Sequence, residues 1–258
     1  MTWDFLATAA EAALQAGAIQ RSRYGQKVEI HHKGEIDLVT EVDRACEEAI
    51  VALIRERFPG HDVVAEETAS FRTGSRYVWF VDPLDGTTNF AHGYPFFCAS
   101  VALTDGGERV AGAVYDCIKD ELFTAERGVG AFLNGRRLRV SGAAALNDAM
   151  LITGFPYDLR ADPAHALRLF NALLPHARAI RRDGAAALDL AYVAAGRVDG
   201  FFEESLSPWD MMAGALMVEE AGGQVTRFDG SPVGLRADQV VAAGAALHTP
   251  MLEILNTD

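Results

Sequence analysis

Apolar residues recur every three or four positions in two segments near the N-terminus, which is the spacing of one helix face. The first segment covers residues 2–23 and is followed by Gly25, so the pattern predicts an amphipathic helix that ends there. The second segment begins where Thr40 precedes Asp43 by three residues, a capping-box pattern, and Pro59 ends it. A loop or a short pair of strands is expected between the two helices.

Runs of β-branched and aromatic residues predict strands at 62–65, 77–81, 96–103, 109–115 and 121–125, and short turns favour antiparallel pairing of the last three. Gly128, Gly130 and Gly135 mark a further hairpin. The second half alternates strands at 149–153, 177–181, 198–202 and 239–243 with helices at 162–174, 185–195, 209–221 and 247–255. Because no linker interrupts the chain, we predict a single α+β domain over residues 1–258, with halves of about 1–145 and 146–258.

The composition is that of a soluble globular protein, with 258 residues of which 50% are hydrophobic and 23% are charged. A net charge of -13 argues against nucleic acid or an anionic membrane as a partner. The N-terminus has no basic leader, and no apolar run is long enough to span a membrane. Cys46, Cys98 and Cys117 have neither zinc spacing nor a disulfide pattern, so we expect reduced cysteines in a cytoplasmic protein.

Two carboxylates, Asp82 and Asp85, lie three residues apart in a turn that Pro83 and Gly86 impose at the end of the predicted strand 77–81. Carboxylates this close repel each other unless a proton or cation lies between them, and magnesium prefers oxygen ligands. The adjacent glutamates Glu66-Glu67 follow the preceding predicted strand. An ordinary turn is the alternative, since Asp-Pro and Asp-Gly are common turn sequences.

Three motifs in order resemble the signatures of the inositol monophosphatase family. They are Glu66-Glu67, then Asp-Pro-Leu-Asp-Gly-Thr-Thr-Asn-Phe over residues 82–90, then Trp-Asp-Met-Met-Ala-Gly over residues 209–214 followed by Glu-Ala-Gly-Gly at 220–223. The resemblance covers nearly the whole chain. It implies a layered αβαβα sandwich with mixed, largely antiparallel sheets, and magnesium-dependent hydrolysis of a small phosphate ester.

The family's metal ligands can be carried over by position. By resemblance, Glu66, Asp82 and the Leu84 carbonyl hold one magnesium ion, and Asp82, Asp85 and Asp210 hold a second. A third, looser ion near Glu66, held through waters, stays open. Asp210 also has a simpler interpretation, as an acid at a helix start.

The resemblance also implies a catalytic pair, Thr87 and Asp43, that orients a water and accepts its proton while the cations activate that water and neutralise the leaving alkoxide. The alternative for Asp43 is a capping role alone. Lys33 resembles a lysine in a mobile loop near the metals, or is simply an exposed lysine.

The expected substrate contacts are Asp85, Gly86, Thr87, Gly184, Ala185 and Glu203. Amides of Gly86 and Thr87 suit phosphate oxygens, and Glu203 matches a family position that accepts a hydrogen bond from a substrate hydroxyl, although a strand-end Glu is often only solvated. Many relatives have Ser or Thr where this chain has Ala185. Arg181 and Arg182 either assist a substrate anion or form surface pairs.

Our leading hypothesis is therefore a magnesium-dependent phosphomonoesterase acting on a small polyol phosphate, with myo-inositol 1-phosphate as the default. Histidinol phosphate, fructose 1,6-bisphosphate and 3′-phosphoadenosine 5′-phosphate are alternatives that the shared ligands cannot separate. From another class, a regulatory binding protein that retains the fold stays possible as an alternative. A homodimer and inhibition by lithium are expected from the resemblance only.

Overall fold

The computed structural model describes residues 4–27, 30–32, 38–68, 73–156, 159–235 and 238–257. The helices are α1 (Phe5–Arg23), α2 (Glu41–Arg57), α3 (Thr87–His92), α4 (Pro163–Leu173), α5 (Ala186–Ala194), α6 (Pro208–Glu220) and α7 (Ala245–Leu255). The strands are β1 (Ile30–His32), β2 (Leu38–Thr40), β3 (Asp62–Ala65), β4 (Tyr77–Asp85), β5 (Cys98–Asp105), β6 (Glu108–Asp116), β7 (Glu121–Glu126), β8 (Gly130–Leu133), β9 (Arg136–Arg137), β10 (Met150–Thr153), β11 (Ala179–Arg181), β12 (Gly200–Glu204), β13 (Gln224–Thr226) and β14 (Gln239–Ala243).

Two larger sheets and one small strand pair organise these elements. The first large sheet has the order β3-β4-β5-β6-β7-β8-β9 and is antiparallel except for the parallel pair β3 and β4. The second has the order β11-β10-β12-β14-β13, in which β10 runs parallel to both of its neighbours. The mixed, largely antiparallel α+β architecture predicted from the resemblance is confirmed.

Helices lie in three layers around the two sheets, which gives the predicted αβαβα order. Helices α1 and α2 pack on the outer face of the seven-stranded sheet, α5 and α6 lie between the sheets, and α4 and α7 cover the outer face of the five-stranded sheet. Successive strand residues face opposite sides. Trp79 therefore belongs to the first core and Phe80 to the middle one, and Phe201 and Phe202 divide in the same way between the middle and outer cores.

Helix starts follow local sequence signals. Asp4 caps α1 by accepting a hydrogen bond from Ala7 N at 2.9 Å. At α2, the predicted capping box between Thr40 and Asp43 is present. Within the described ranges, no helix is both long enough and apolar enough to cross a membrane.

The structure corrects three parts of the sequence interpretation. Residues 87–92 form the short helix α3 and residues 224–226 form β13, and neither element was predicted. Strand β12 extends through Glu204, so Glu203 lies inside a strand instead of following one. Segments of three to six residues are too short to show a periodicity. The division into one domain with two halves stays a prediction, and Lys33 lies outside the described residues.

Candidate active site

The end of β4 contains an irregularity that brings two acids to the same cavity. Asp82 pairs with Ser100 of β5 and Asp85 pairs with Cys98, so one extra residue is accommodated on β4 between them. Pro83 has no N–H to donate. Leu84 donates its N–H to Asp82 Oδ1 at 3.0 Å, and its side chain is buried. The bulge therefore changes the direction of the backbone, while the Leu84 side chain stays buried.

One cavity of about 310 Å³ collects the predicted site. The predicted residues in its lining are Glu66, Asp82, Leu84, Asp85, Gly86, Thr87, Gly184, Ala185, Glu203 and Asp210. Asp43 is the exception, since it is buried and hydrogen-bonded to Thr87. Acids from three separate parts of the chain thus share one space, and the individual roles assigned to them stay predictions.

Three of the carboxylates each use one oxygen to accept a backbone N–H. Leu84 N bonds to Asp82 Oδ1, Ala187 N bonds to Asp85 Oδ2 at 2.7 Å, and Ser207 N bonds to Asp210 Oδ2 at 2.7 Å. Asp85 Oδ2 also accepts from Cys98 Sγ at 3.7 Å, and in the part of the chain that the structure describes Asp82 Oδ2 and Asp210 Oδ1 accept no hydrogen bond. These bonds fix each carboxylate while leaving one hard oxygen ligand available to a cation.

Burial of these carboxylates and their mutual repulsion lower the stability of the fold when no cation is bound. Burial, followed by repulsion from neighbouring acids, holds the pKa values of Asp82 and Asp210 well above the ordinary range. Burial also raises the pKa of Asp85 to about 7. A divalent ion would offset this charge, and the oxygen-only donor set fits magnesium. Among the described residues, no group of three or more acidic, His or Cys side chains is already arranged to hold an ion.

Asp85 also provides the N-terminal cap that helix α5 lacks. Ala185 occupies the N-cap position and has no side-chain oxygen, but Asp85 Oδ2 accepts from Ala187 N in the first turn. The positive end of the helix dipole thereby stabilises a carboxylate from a distant strand. The hydroxyl that is missing at Ala185 is consequently not required for capping.

Thr87 lines the cavity and is half-buried, and it is hydrogen-bonded to Asp43, which is buried behind it. Thr87 Oγ1 lies 2.7 Å from Asp43 Oδ1 and 3.0 Å from the Leu84 carbonyl oxygen. The other Asp43 oxygen, Oδ2, accepts from Thr40 N at 2.8 Å and from Thr40 Oγ1 at 2.5 Å. Burial raises the pKa of Asp43 although these hydrogen bonds oppose the shift. The capping and catalytic interpretations are therefore compatible, because each uses a different oxygen.

Two supporting residues were not found from the sequence. Gln20 of α1 donates from Nε2 to the Pro83 carbonyl at 2.8 Å, and Glu47 of α2 accepts from Glu67 N at 2.8 Å. Both side chains are buried. They connect the first two helices to the two acidic segments. The contacts join residues 63 and 20 positions apart, so no local motif could indicate them.

Glu203 of β12 lines the cavity from the five-stranded sheet. Burial raises the pKa of its carboxyl to about 8, and the nearby positive charge of Arg182 lowers it. Phe155, Pro156 and Trp209 also line the cavity, and sequence reasoning did not assign these three side chains to a substrate site. The only signal for them was proximity to the strand end at 153 and to Asp210.

Replacing Gly86 with Ala is expected to destabilise the fold by about 1–3 kcal/mol, because this residue has a φ of +91°. A Cβ there would also lie 3.0 Å from the Phe96 carbonyl oxygen and 3.1 Å from Phe97 Cβ. Gly93→Ala is the matched control, since Gly93 has a φ of +70° and open space around its Cβ position. Denaturant unfolding should show a larger loss for Gly86→Ala; equal losses would mean that the close packing contributes nothing.

Comparisons with known proteins identify the family of this chain. A model of the inositol monophosphatase family matches residues 3–257. Nus factor SuhB of Pseudomonas aeruginosa is 48% identical over 230 residues, covering 87% of this chain and 85% of that protein. The fructose-1,6-bisphosphatase/inositol-1-monophosphatase of Aquifex aeolicus is 40% identical over 252 residues, covering 97% and 94%.

The crystal structure of the extragenic suppressor protein SuhB from Bartonella henselae superposes with a TM-score of 0.92 at 42% identity, covering 97% of this chain and 98% of that one. The family match therefore identifies a phosphoric monoester hydrolase. The chain belongs to the inositol monophosphatase family, whose phosphatases are generally metal-dependent.

Proposed function

We propose that this protein hydrolyses a small polyol phosphate with the help of magnesium, and that myo-inositol 1-phosphate is its first candidate substrate. The observation that carries the proposal is the set of carboxylates in one cavity. Asp82, Asp85 and Asp210 each have one oxygen fixed by a backbone N–H, and all three line this cavity. Such an arrangement suits a cation and a phosphate together.

The residues proposed to hold two magnesium ions are Glu66, Asp82, the Leu84 carbonyl, Asp85 and Asp210. When bound, magnesium would supply Lewis acidity toward the phosphate, lower the pKa of a nearby water and offset charge on the leaving oxygen. A third, looser ion stays a prediction. The hydrogen bonds from Leu84 N, Ala187 N and Ser207 N preorganise the carboxylates for this task.

Thr87 and Asp43 are proposed to handle the proton of the attacking water. Thr87 Oγ1 can accept from a water in the cavity while it donates its own hydrogen to Asp43 Oδ1 at 2.7 Å. Asp43 then takes up the proton that this relay releases, and the upward shift of its pKa makes it a better base. Thr40 keeps the Asp43 carboxyl in place through the other oxygen.

Substrate contacts are proposed on the other walls of the cavity. The backbone amides of Gly86 and Thr87 would meet phosphate oxygens, and Glu203 would accept a hydrogen bond from a hydroxyl of the alcohol. Gly184 and Ala185 leave space for the polyol because they carry little or no side chain. Asp85 would contact the substrate indirectly, since the cation that it would hold would bind the phosphate.

Assays of four phosphoesters with magnesium test this proposal. The panel is myo-inositol 1-phosphate, fructose 1,6-bisphosphate, histidinol phosphate and 3′-phosphoadenosine 5′-phosphate. We expect the highest kcat/KM for myo-inositol 1-phosphate, with fructose 1,6-bisphosphate as the nearest competitor because the Aquifex relative is named for both activities. Chelation should abolish hydrolysis and added magnesium should restore it. Turnover that persists after thorough chelation would contradict the metal-dependent mechanism.

A regulatory binding role is a second candidate, favoured by the relative named Nus factor SuhB at 48% identity. The two candidates separate experimentally. A stoichiometric protein partner together with negligible turnover of every phosphoester would support the binding role. The homodimer, lithium sensitivity, cytoplasmic location and absence of nucleic-acid binding stay predictions, of which sedimentation can test the first.

A further inference from the structure

The turn at the end of β4 is held by a hydrogen bond that comes from outside the catalytic cavity. Gln20, in the last turn of α1, donates from Nε2 to the Pro83 carbonyl oxygen at 2.8 Å. The Gln20 side chain is buried and does not belong to the described lining of the cavity. This bond therefore joins a helix of the first layer to the turn that contains Asp82 and Leu84.

The peptide group between Pro83 and Leu84 is fixed at both ends. Its carbonyl accepts from Gln20, and its N–H donates to Asp82 Oδ1 at 3.0 Å. Among the described residues, Leu84 N is the only donor to the Asp82 carboxylate. Because a peptide group is planar, a rotation that breaks one of these bonds also misaligns the other. Gln20 thus acts on the orientation of Asp82 through a single peptide group.

The same peptide group influences a second proposed ligand, the Leu84 carbonyl. That carbonyl follows directly in the chain and accepts a hydrogen bond from Thr87 Oγ1 at 3.0 Å. Hydrogen bonds that follow one another in a buried chain polarise and align each other. The directions of the Asp82 carboxylate and of the Leu84 carbonyl therefore both depend on how the Pro83 carbonyl is held.

Helix α1 lies close enough to the sheet for Gln20 to reach the turn. The buried apolar residues of α1 before Gln20 are all alanines, namely Ala9, Ala12, Ala13 and Ala16. At Gly17 a Cβ would lie only 2.2 Å from Tyr115 Cδ1 of β6, so the helix backbone contacts the sheet directly there. These small residues allow a side chain of the length of glutamine to reach Pro83.

Aromatic contacts fix the end of α1 from which Gln20 extends. Tyr24, the residue after the helix, donates from its hydroxyl to the Gly93 carbonyl at 2.6 Å. Its ring centroid lies 6.0 Å from that of Phe90 in α3 and 5.2 Å from that of Phe97. The last turn of α1 is thereby held against the segment that follows the β4 turn, which restricts the directions available to the Gln20 side chain.

Packing of α1 does not account for a glutamine at this position. Gln20 Oε1 is buried and has no hydrogen-bond partner among the described residues. A buried polar atom without a partner lowers the stability of the fold, and an apolar side chain would avoid that loss. The interaction that requires the amide is the bond from Nε2 to the Pro83 carbonyl.

We propose that Gln20 is a positioning residue for the metal site. It holds the Pro83–Leu84 peptide so that the Asp82 carboxylate and the Leu84 carbonyl face the cavity in the arrangement that a divalent cation requires. Gln20 itself contacts neither cation nor substrate. The inference rests on the proposed metal-dependent function. Hydrogen-bonding partners that orient metal ligands commonly change metal affinity by about tenfold to a hundredfold.

Calorimetric titration of manganese into the metal-free protein tests this role, with Gln20→Met as the variant that keeps the length of the side chain and removes the amide. We expect at least about tenfold weaker manganese binding than in wild type. The magnesium concentration for half-maximal hydrolysis should rise by a similar factor. At saturating magnesium, kcat should stay within about threefold of wild type, because every proposed ligand is still present. Gln20→Leu is the second variant if Gln20→Met does not fold, with the same expectations.

Thr8→Val is the matched control in the same helix. Thr8 is also buried, and its hydroxyl donates to the Asp4 carbonyl at 2.9 Å, about three turns before Gln20. This variant loses a buried hydrogen bond of α1 without affecting the β4 turn, so its manganese Kd should stay within about twofold of wild type. Equal weakening in Thr8→Val and Gln20→Met, or an unchanged Kd in Gln20→Met, would overturn the positioning role.

A crystal structure of metal-free Gln20→Met separates this inference from the proposed function. We expect the distance between Leu84 N and Asp82 Oδ1 to increase from 3.0 Å to beyond about 3.5 Å, which breaks the hydrogen bond. If wild type binds no manganese, the metal-dependent function fails, and this distance still decides whether Gln20 orients the turn. An unchanged distance would overturn the inference alone, even where wild type binds manganese tightly.

Discussion

Replacing Asp82 with Asn is expected to reduce phosphate release by about a thousandfold. Asp82 is proposed to contact both magnesium ions, and losing a ligand that both share removes about 4 kcal/mol of transition-state stabilisation, which is about a thousandfold in rate. The fold should survive, because Asn Oδ1 can still accept the hydrogen bond from Leu84 N. Steady-state kinetics at saturating magnesium measures the effect.

The same variant should be more stable than wild type when both are free of metal. Burial and repulsion from Glu66, Asp85 and Asp210 hold the pKa of Asp82 well above its ordinary range, which means that its charge opposes folding. A neutral amide removes that cost. Thermal unfolding in a chelator should therefore give a higher midpoint for Asp82→Asn, and added magnesium should raise the midpoint less than it does for wild type.

Asp105→Asn is the control, because Asp105 lies at the opposite end of β5 from the cavity and pairs with Arg76. It should keep hydrolysis within about twofold of wild type, as expected for an exposed pair. Near-normal activity in Asp82→Asn would contradict the proposed role of Asp82 as a ligand of both magnesium ions. A lower unfolding midpoint for Asp82→Asn than for wild type in the chelator would show that the charge of Asp82 does not destabilise the metal-free fold.

Asp43→Asn is expected to lower kcat by about a hundredfold to ten-thousandfold with a smaller effect on KM, which is the range for loss of a general base. Asn can still accept hydrogen bonds at one oxygen, but it cannot take up a proton from Thr87. A single-turnover measurement separates this effect on the chemical step from product release.

Thr40→Val separates the two interpretations of Asp43. It removes the hydroxyl that bonds to Asp43 Oδ2 and caps α2, at a cost of about 1 kcal/mol of stability, while the bond between Thr87 Oγ1 and Asp43 Oδ1 remains. If Asp43 acts only as a capping residue, both variants should lose stability and keep activity. Our account predicts instead that Thr40→Val loses mainly stability and Asp43→Asn loses mainly activity.

The sequence predicted the elements that have a clear local pattern. Helix α2 was recognisable from Thr40 and Asp43 because a capping box uses residues three positions apart. Strand β14 agrees with the predicted range 239–243 because an apolar run fills residues 240–243. The layered order came from the resemblance and could not have been obtained from periodicity, which says nothing about which sheet a strand joins.

The supporting contacts of the site could not be predicted because they join distant parts of the chain. Gln20 reaches a carbonyl 63 positions away, and Asp85 caps a helix that begins about a hundred positions later. Short elements such as α3 were not predicted for a different reason, since six residues complete fewer than two helical turns. Gly86 and Gly93, which flank α3 with positive φ, were its only sequence signal.

The central claim is that these carboxylates bind divalent cations in one cavity, and anomalous diffraction from crystals containing manganese tests it most directly. Our account predicts anomalous peaks within about 2.3 Å of carboxylate oxygens of Asp82, Asp85 and Asp210, with one peak also beside the Leu84 carbonyl. Asp82→Asn crystals should lose at least one peak. Saturating manganese that leaves no peak in this cavity, or places its peaks elsewhere, would contradict the account.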